Sequence, residues 1–184
     1  MYCQNYKFSQ LSDKEEISIQ QFAKILLKLQ AMHSHNINLV SPTHYASQIL
    51  DGLEIAKKEG LNIPIVFNTG GYDSEETIEA FKNVADVYIV DMKYSNNEYA
   101  EKFSYSPGYV EINRRIVKQM YENVGQLQLD NNGIATKGVI IRCLLLPNDI
   151  SGTCQTLEWI EQNISDKVHI SLMSQYYPIY KAKE

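Results

Sequence analysis

The sequence predicts an α/β fold, a parallel sheet with helices on its outside. Two features of the chain predict it. Short apolar runs recur along the sequence, and segments with apolar residues at helical spacing stand between them. These runs do not alternate with polar residues, which is typical of strands that are buried on both faces and paired in parallel through right-handed crossovers. With 184 residues the chain has the size of one domain, residues 1–184.

The first half of the chain contains three predicted helices that alternate with strands. Ser18 and Gln21 form a capping box, and the apolar residues after it recur at helical spacing. A second helical pattern ends at Gly60, and the pattern Asp73-x-x-Glu76 predicts the cap of a third helix. The predicted strands of this half are residues 37–40, 63–67 and 84–90.

The second half of the chain departs from this alternation once. A polar, tyrosine-rich stretch precedes a predicted helix around Ile116. Two short runs then flank residues 130–133, which predict a hairpin with Gly133 in the left-handed conformation, and we interpret this hairpin as an insertion. The remaining predicted elements are a strand at 139–146, a helix around Ile160 and a strand at 168–173. Apart from the hairpin, five strands are therefore expected.

The composition argues against three classes of protein. A formal charge of -5 provides no basic surface for nucleic acid. No apolar run approaches the ~20 residues that span a bilayer, and the sequence shows no charged-then-apolar leader. The three cysteines, Cys3, Cys143 and Cys154, are odd in number and widely spaced, which argues against a secreted disulfide scaffold. We expect a cytoplasmic protein without nucleic-acid or membrane partners.

The predicted strand ends carry most of the residues suited to chemistry. Ligands gather at the carboxyl ends of parallel strands, both in open sheets and in barrels, so these ends should meet at one rim. Each end is rich in groups that hydrogen-bond or carry charge. They are Ser41-Pro42-Thr43-His44, Asn68-Thr69-Gly70-Gly71, Asp91-Met92-Lys93, Pro147-Asn148 and Ser174-Gln175-Tyr176.

Three charged residues stand out at this rim. Asp91 and Lys93 are two positions apart on one strand, so a carboxylate and an ammonium should reach into the same cavity. A structural ion pair is the alternative, although burying such a pair is unfavourable. Arg142 lies within an otherwise apolar strand, where an unpaired guanidinium would be prohibitive, so it must meet a carboxylate from the protein or from a ligand.

These strand ends, in this order behind Cys3-Gln4-Asn5-Tyr6, resemble the radical S-adenosylmethionine (SAM) superfamily, specifically proteins similar to pyruvate formate-lyase activating enzyme. The resemblance spans nearly the whole chain. It implies a partial (β/α) barrel of about six strands, of which this chain retains about five. It also implies a 4Fe-4S cluster that reductively cleaves SAM to a 5'-deoxyadenosyl radical, which abstracts hydrogen from a substrate.

The resemblance places the cluster loop at the start of the chain. Cys3 matches the last cysteine of the motif Cys-x3-Cys-x2-Cys and would be a metal ligand. The other two cysteines would precede Met1, so we expect an N-terminally truncated chain that lacks the cluster and the activity. Cys143, in a predicted buried strand, and Cys154, at a predicted helix start, lack the spacing of replacement ligands.

The resemblance also implies a set of SAM-binding residues. Tyr2 matches an aromatic that packs on the adenine, and Ser41 and Thr43 match a loop that contacts the methionine amino group, although the usual Gly-Gly-Glu is absent. A plain strand-to-helix turn is the alternative for residues 68–71, and a capping or surface role is favoured for His44. The full implied set is Tyr2, Ser41, Thr43, Asn68, Thr69, Gly70, Asp91, Lys93, Arg142 and Gln175.

The resemblance implies a glycyl-radical enzyme or another protein as the substrate, and flavodoxin or ferredoxin as the electron donor. Two other classes of function stay open. One is a lyase or aldolase-type barrel in which Lys93 forms a Schiff base and Asp91 tunes its basicity. The other is a non-catalytic fragment that binds a partner protein.

Overall fold

A computed structural model describes residues 16–183 and has the expected α/β class, with one sheet and six α-helices among these residues. The helices are α1 (Ile19–Ala31), α2 (Ala46–Lys58), α3 (Glu75–Ala80), α4 (Asn97–Ser104), α5 (Tyr109–Val124) and α6 (Thr153–Asn163). The strands are β1 (Ile37–Val40), β2 (Ile65–Thr69), β3 (Val87–Asp91), β4 (Gln128–Leu129), β5 (Ala135–Leu144) and β6 (His169–Met173).

Five of the strands form a parallel sheet in the order of the chain. β1 pairs with β2, β2 with β3, β3 with β5, and β5 with β6. The short strand β4 pairs with the start of β5 in the antiparallel direction, which confirms the predicted hairpin, and Gly133 in its turn has φ 79°. Parallel neighbours that follow one another in sequence place the carboxyl ends of all five strands at one rim.

Five of the six helices within residues 16–183 pack on one face of this sheet. Alternate strand residues, among them Leu39, Phe67, Val90 and Ile141, belong to one buried core together with residues of α1, α2, α3, α5 and α6. Because successive side chains of a strand point to opposite faces, the residues between them lie on the other face. A doubly wound sheet has helices on both faces, whereas a barrel has them only outside. The architecture therefore fits a partial barrel.

One predicted helix cap is confirmed by the structure, and another is wrong. The Ser18–Gln21 capping box is present, since Gln21 N–H donates to Ser18 Oγ at 3.1 Å and Ser18 N–H donates to Gln21 Oε1 at 2.7 Å. The predicted Asp73 cap of α3 is wrong. Ser74 caps this helix instead by accepting from Thr77 N–H at 3.2 Å, because the Asp73 carboxylate hydrogen-bonds in the opposite direction, towards the rim.

One helix was not predicted. The polar, tyrosine-rich stretch after β3 contains α4, whose first turn is capped by Asn96 Oδ1 accepting from Glu98 N–H at 2.7 Å. Ala100 is its one buried residue, so helical periodicity gave no signal. Ala100 belongs to a second small core with Tyr94, Tyr109 and Leu146. Within residues 16–183, no helix is both long and apolar enough to span a bilayer.

Candidate functional site at the strand ends

A pocket of about 220 Å³ opens at the carboxyl ends of β1, β2 and β3. The loops that follow these strands form most of its wall, and the connection between α4 and α5 adds hydroxyl groups. Five residues of the predicted binding set line it: Ser41, Thr43, Thr69, Gly70 and Lys93. The expectation that the strand ends gather at one rim is therefore met, whereas the ligand of these residues stays a prediction.

A polar network lies beside this pocket, on the face of the sheet opposite the main core. Arg142 on β5 donates from Nε to Asp91 Oδ1 at 2.7 Å and from Nη2 to Asn68 Oδ1 at 2.9 Å. This confirms that Arg142 meets a carboxylate, which comes from the neighbouring strand β3. Arg142 and Asp91 are direct partners in the β3–β5 register, so the sheet itself fixes their separation. The Arg142 guanidinium on β5 therefore connects side chains of β2 and β3.

Lys93 adds a second cation to the Asp91 carboxylate. Its Nζ lies 3.4 Å from Asp91 Oδ2, and the two side chains are 32% and 16% exposed. Asp91 and Lys93 therefore form the ion pair that is the alternative, and Lys93, two residues beyond the Asp91 end of β3, lines the pocket, whereas Asp91 is not among its lining residues. With Arg142 included, two cations face one carboxylate, so the network carries a net positive charge that favours an anionic ligand group.

Asp73 joins the loops after β1 and β2. It accepts hydrogen bonds from the hydroxyls of Thr43 and Thr69, the latter at 2.5 Å. Thr69 Oγ1 in turn accepts from Gly71 N–H at 3.1 Å. Ser41, at the start of the first loop, has φ 51°, a left-handed conformation that is uncommon outside glycine and is found at functional sites. Asp73 is absent from the predicted site residues because the pattern Asp73-x-x-Glu76 predicts a helix cap.

Two buried residues at the start of α5 support the rim from below. Tyr109 OH accepts from Lys93 N–H at 3.1 Å and faces the carbonyl oxygens of Gly70 and Asp91. Burial raises the pKa of Tyr109 above its usual range, so the hydroxyl keeps its proton and donates. Asn113, one turn later, donates from Nδ2 to the carbonyls of Gly71 and Asp91, both at 2.9 Å. Sequence reasoning missed both residues.

One predicted site residue within residues 16–183 joins neither the pocket wall nor the polar network. Gln175 is exposed beyond the end of β6 and is absent from the pocket wall. Tyr2 and Cys3 lie outside the described residues. His44 does line the pocket, and its side chain is exposed. Among residues 16–183, no three His, Cys, Asp or Glu side chains are grouped so that they could hold a metal ion.

Cys143 lies on β5 with its side chain in the main core, and we predict that its thiol resists alkylation. Burial, with a smaller contribution from the Asp91 charge, raises the pKa of the Cys143 thiol to about 11. The thiolate is the reactive form, so iodoacetamide at pH 8 should modify Cys143 roughly a hundredfold more slowly than an ordinary exposed thiol.

Peptide mass spectrometry over a time course measures this rate, with the exposed Cys154 as the internal control. In urea both thiols should react alike. Equal rates in the folded protein would contradict the prediction.

Comparisons with known proteins find one protein of similar sequence and one of similar structure. No family model matches the chain. An uncharacterized protein of Methanocaldococcus jannaschii is 32% identical over 194 residues, an alignment that covers 100% of this chain and 52% of that protein. The chain thus spans about half the length of this relative. A crystal structure of a domain of pyruvate-formate lyase-activating enzyme from Bacteroides vulgatus aligns with a TM-score of 0.45 and 14% identity, over 76% of this chain and 98% of that domain.

Proposed function

We propose that this chain is the SAM-binding part of a radical SAM enzyme similar to pyruvate formate-lyase activating enzyme. The observation that supports the proposal best is the network of Asn68, Asp91, Lys93 and Arg142 on the face of the sheet opposite the main core, beside the pocket at the strand ends. Its two cations suit the carboxylate of a SAM molecule, and strands rather than loops hold Arg142 and Asp91 in place.

The residues of this chain would bind and orient SAM. Lys93 would donate to its carboxylate, Asp91 would hold the Lys93 ammonium in place, and Arg142 would fix both Asp91 and Asn68. A reduced iron-sulfur cluster, when present in such enzymes, supplies the electron that cleaves SAM. Residues 16–183 do not fit this cluster, because Cys143 is buried in the core and Cys154 stands apart at the start of α6.

A cluster would therefore need thiolates outside residues 16–183, and Cys3 would be one of them. For the whole protein, the proposal includes a glycyl-radical enzyme or another protein as substrate, flavodoxin or ferredoxin as electron donor, and a cytoplasmic location.

The proposal predicts that the chain binds SAM and that Lys93→Met weakens this binding. Loss of a charged hydrogen bond should raise the Kd roughly tenfold or more. Isothermal titration calorimetry with SAM measures the effect. The matched control is Lys58→Met on α2, where the lysine is 72% exposed and, within residues 16–183, pairs only with Glu54, and its Kd should equal that of the wild type. An unchanged Kd in Lys93→Met, or no binding by the wild type, would contradict the proposal.

A second candidate function is Schiff-base chemistry at Lys93, because this lysine lines the pocket. Its ion pair with Asp91 disfavours this role, since an ammonium is not a nucleophile and the pair would have to open first. Borohydride reduction in the presence of pyruvate, followed by peptide mass spectrometry, tests it. A reduced adduct on Lys93 that is missing from Lys58 would favour the lyase or aldolase class over SAM binding.

A further inference from the structure

One wall of the pocket at the strand ends is held less firmly than the others. Hydrogen bonds of Asp73 join the loops after β1 and β2, and the Tyr109 hydroxyl, which is buried, accepts from the backbone of the loop after β3. The remaining wall includes residues 105–108, the connection between α4 and α5, which we call the lid segment. Ser106 lines the pocket from this segment.

The lid segment has a residue in the left-handed conformation at each end. Tyr105 has φ 54°, and Gly108 has φ 65°. Glycine adopts this conformation freely, whereas it is unfavourable for a residue with a Cβ. Tyr105 adopts it at the end of α4, where its N–H donates to Glu101 O at 2.9 Å and Ser106 N–H donates to Ala100 O at 3.4 Å. Rotation of the backbone at Tyr105 would relieve this strain.

A hydrogen bond at the surface holds the lid segment against the loop after β2. Tyr72 donates from its hydroxyl to the Pro107 carbonyl at 2.8 Å, and we call this contact the latch. Tyr72 is 44% exposed, so water competes for the same groups and the latch can open reversibly. The α4 side is fixed separately, because the hydroxyls of Tyr94 and Ser104 lie 2.8 Å apart and share a hydrogen bond. Movement is therefore confined to residues 105–108.

The volume of the pocket gives this movement a use. With the latch formed, the pocket has a volume of about 220 Å³, below the ~300 Å³ at which pockets for drug-sized ligands start. Displacing Ser106 outwards would enlarge the pocket, and it would leave the hydrogen bonds of Asp73 and Tyr109 intact. The lid segment is therefore the wall that can move without disturbing the strand ends.

We infer that residues 105–108 form a lid, with Tyr105 and Gly108 as its hinges and the Tyr72–Pro107 hydrogen bond as its latch. Opening of this lid admits ligands that are larger than the latched pocket. The inference goes beyond the proposed function, because it requires no particular ligand and holds or fails independently of SAM binding.

Amide hydrogen exchange, measured by NMR, tests the opening. The reporter is the Ser106 amide, whose hydrogen bond to Ala100 breaks when the backbone rotates at Tyr105. Tyr72→Phe removes the latch hydroxyl and keeps the ring, so exchange at Ser106 should accelerate roughly fivefold, the effect of one lost hydrogen bond. Exchange at Val117, buried in α5, should not change. The matched control Tyr45→Phe removes the hydroxyl of a 64% exposed tyrosine after β1 and should leave both rates unchanged.

Labelling of Lys93, which lines the pocket, tests whether the opening admits larger molecules. The probes are acetic anhydride, a small acylating reagent, and sulfosuccinimidyl biotin, a bulky one. In Tyr72→Phe, biotinylation of Lys93 should accelerate roughly fivefold, whereas its acetylation should change by less than about twofold. Peptide mass spectrometry over a time course measures both rates, with the 72% exposed Lys58 as the internal reference.

The other outcomes overturn the inference. If exchange at Ser106 and Val117 accelerates equally in Tyr72→Phe, the hydroxyl stabilises the whole fold and is not a latch. Unchanged exchange at Ser106 would show that the contact with Pro107 does not restrain the segment. Unchanged biotinylation of Lys93, or equal acceleration by both reagents, would show that the segment does not limit access. Calorimetry with SAM decides the proposed function separately, so a chain that fails to bind SAM and still gives the expected exchange and labelling retains the lid.

Discussion

Gly71→Ala is expected to destabilise the protein by about 2–5 kcal/mol, because a strained backbone and an overlap act together. Gly71 has φ 79°, a conformation that L residues rarely adopt. A Cβ at this position would also overlap Asn113 Nδ2 and the carbonyl oxygen of Asp91. Neither can move easily, since Asn113 is 1% exposed with two hydrogen bonds and the Asp91 carbonyl belongs to β3. Urea unfolding followed by circular dichroism measures the loss.

Two other glycines separate the backbone contribution from the overlap. Gly60 has φ 102°, and a methyl group added there would meet nothing within 4 Å, so Gly60→Ala should cost about 1–2 kcal/mol, the backbone penalty alone. At Gly70 the φ is not positive and the Cβ would lie 3.3 Å from Lys93 Nζ, the mobile end of a side chain, so Gly70→Ala should be nearly neutral. A Gly71→Ala variant no less stable than Gly60→Ala would show that the overlap relaxes.

The part of the site that sequence could predict is the part that strand geometry fixes. Parallel strands bring their carboxyl ends to one rim, and residues two apart point to one face, so the Asp91 and Lys93 side chains, which pair at 3.4 Å, could be placed close together. Arg142 could be assigned a carboxylate partner because the apolar residues of its own strand cannot compensate the charge of a guanidinium. Each of these inferences needs only the identity of a strand and the parity of a residue along it.

The part that sequence could not predict depends on loops and on the axial position of a helix. Asp73 fits a local capping pattern, and the structure uses Ser74 as the cap because the Thr43 hydroxyl, 30 residues away, reaches the Asp73 carboxylate. Tyr109 and Asn113 are four residues apart and so share a face of α5. Periodicity identifies that face, but it does not show which turn of α5 lies against the Gly70 and Asp91 carbonyls.

Arg142→Met is expected to lower the free energy of unfolding by about 2–4 kcal/mol, somewhat less than for a fully buried ion pair. Arg142 is 28% exposed and Asp91 16% exposed, so water can relieve part of the lost interaction. Asp91 would keep Lys93 at 3.4 Å, whereas Asn68 would lose its hydrogen bond from the guanidinium. The matched control is Arg115→Met. Arg115 pairs with Glu75 at 2.6 Å, but both are more than half exposed, so the loss should be about 0–1 kcal/mol.

Arg142→Lys then distinguishes charge from geometry in the same unfolding measurement. A lysine retains the positive charge beside Asp91, but one ammonium lacks the planar fork with which the guanidinium reaches Asp91 and Asn68 from two nitrogens. We expect it to recover less than half of the stability lost in Arg142→Met. Full recovery would mean that Asp91 needs only a second cation and that the contact with Asn68 across β3 contributes nothing. Partial recovery would show that the hydrogen bonds of the guanidinium help to hold β2, β3 and β5 in fixed positions, which is what a rigid binding rim requires.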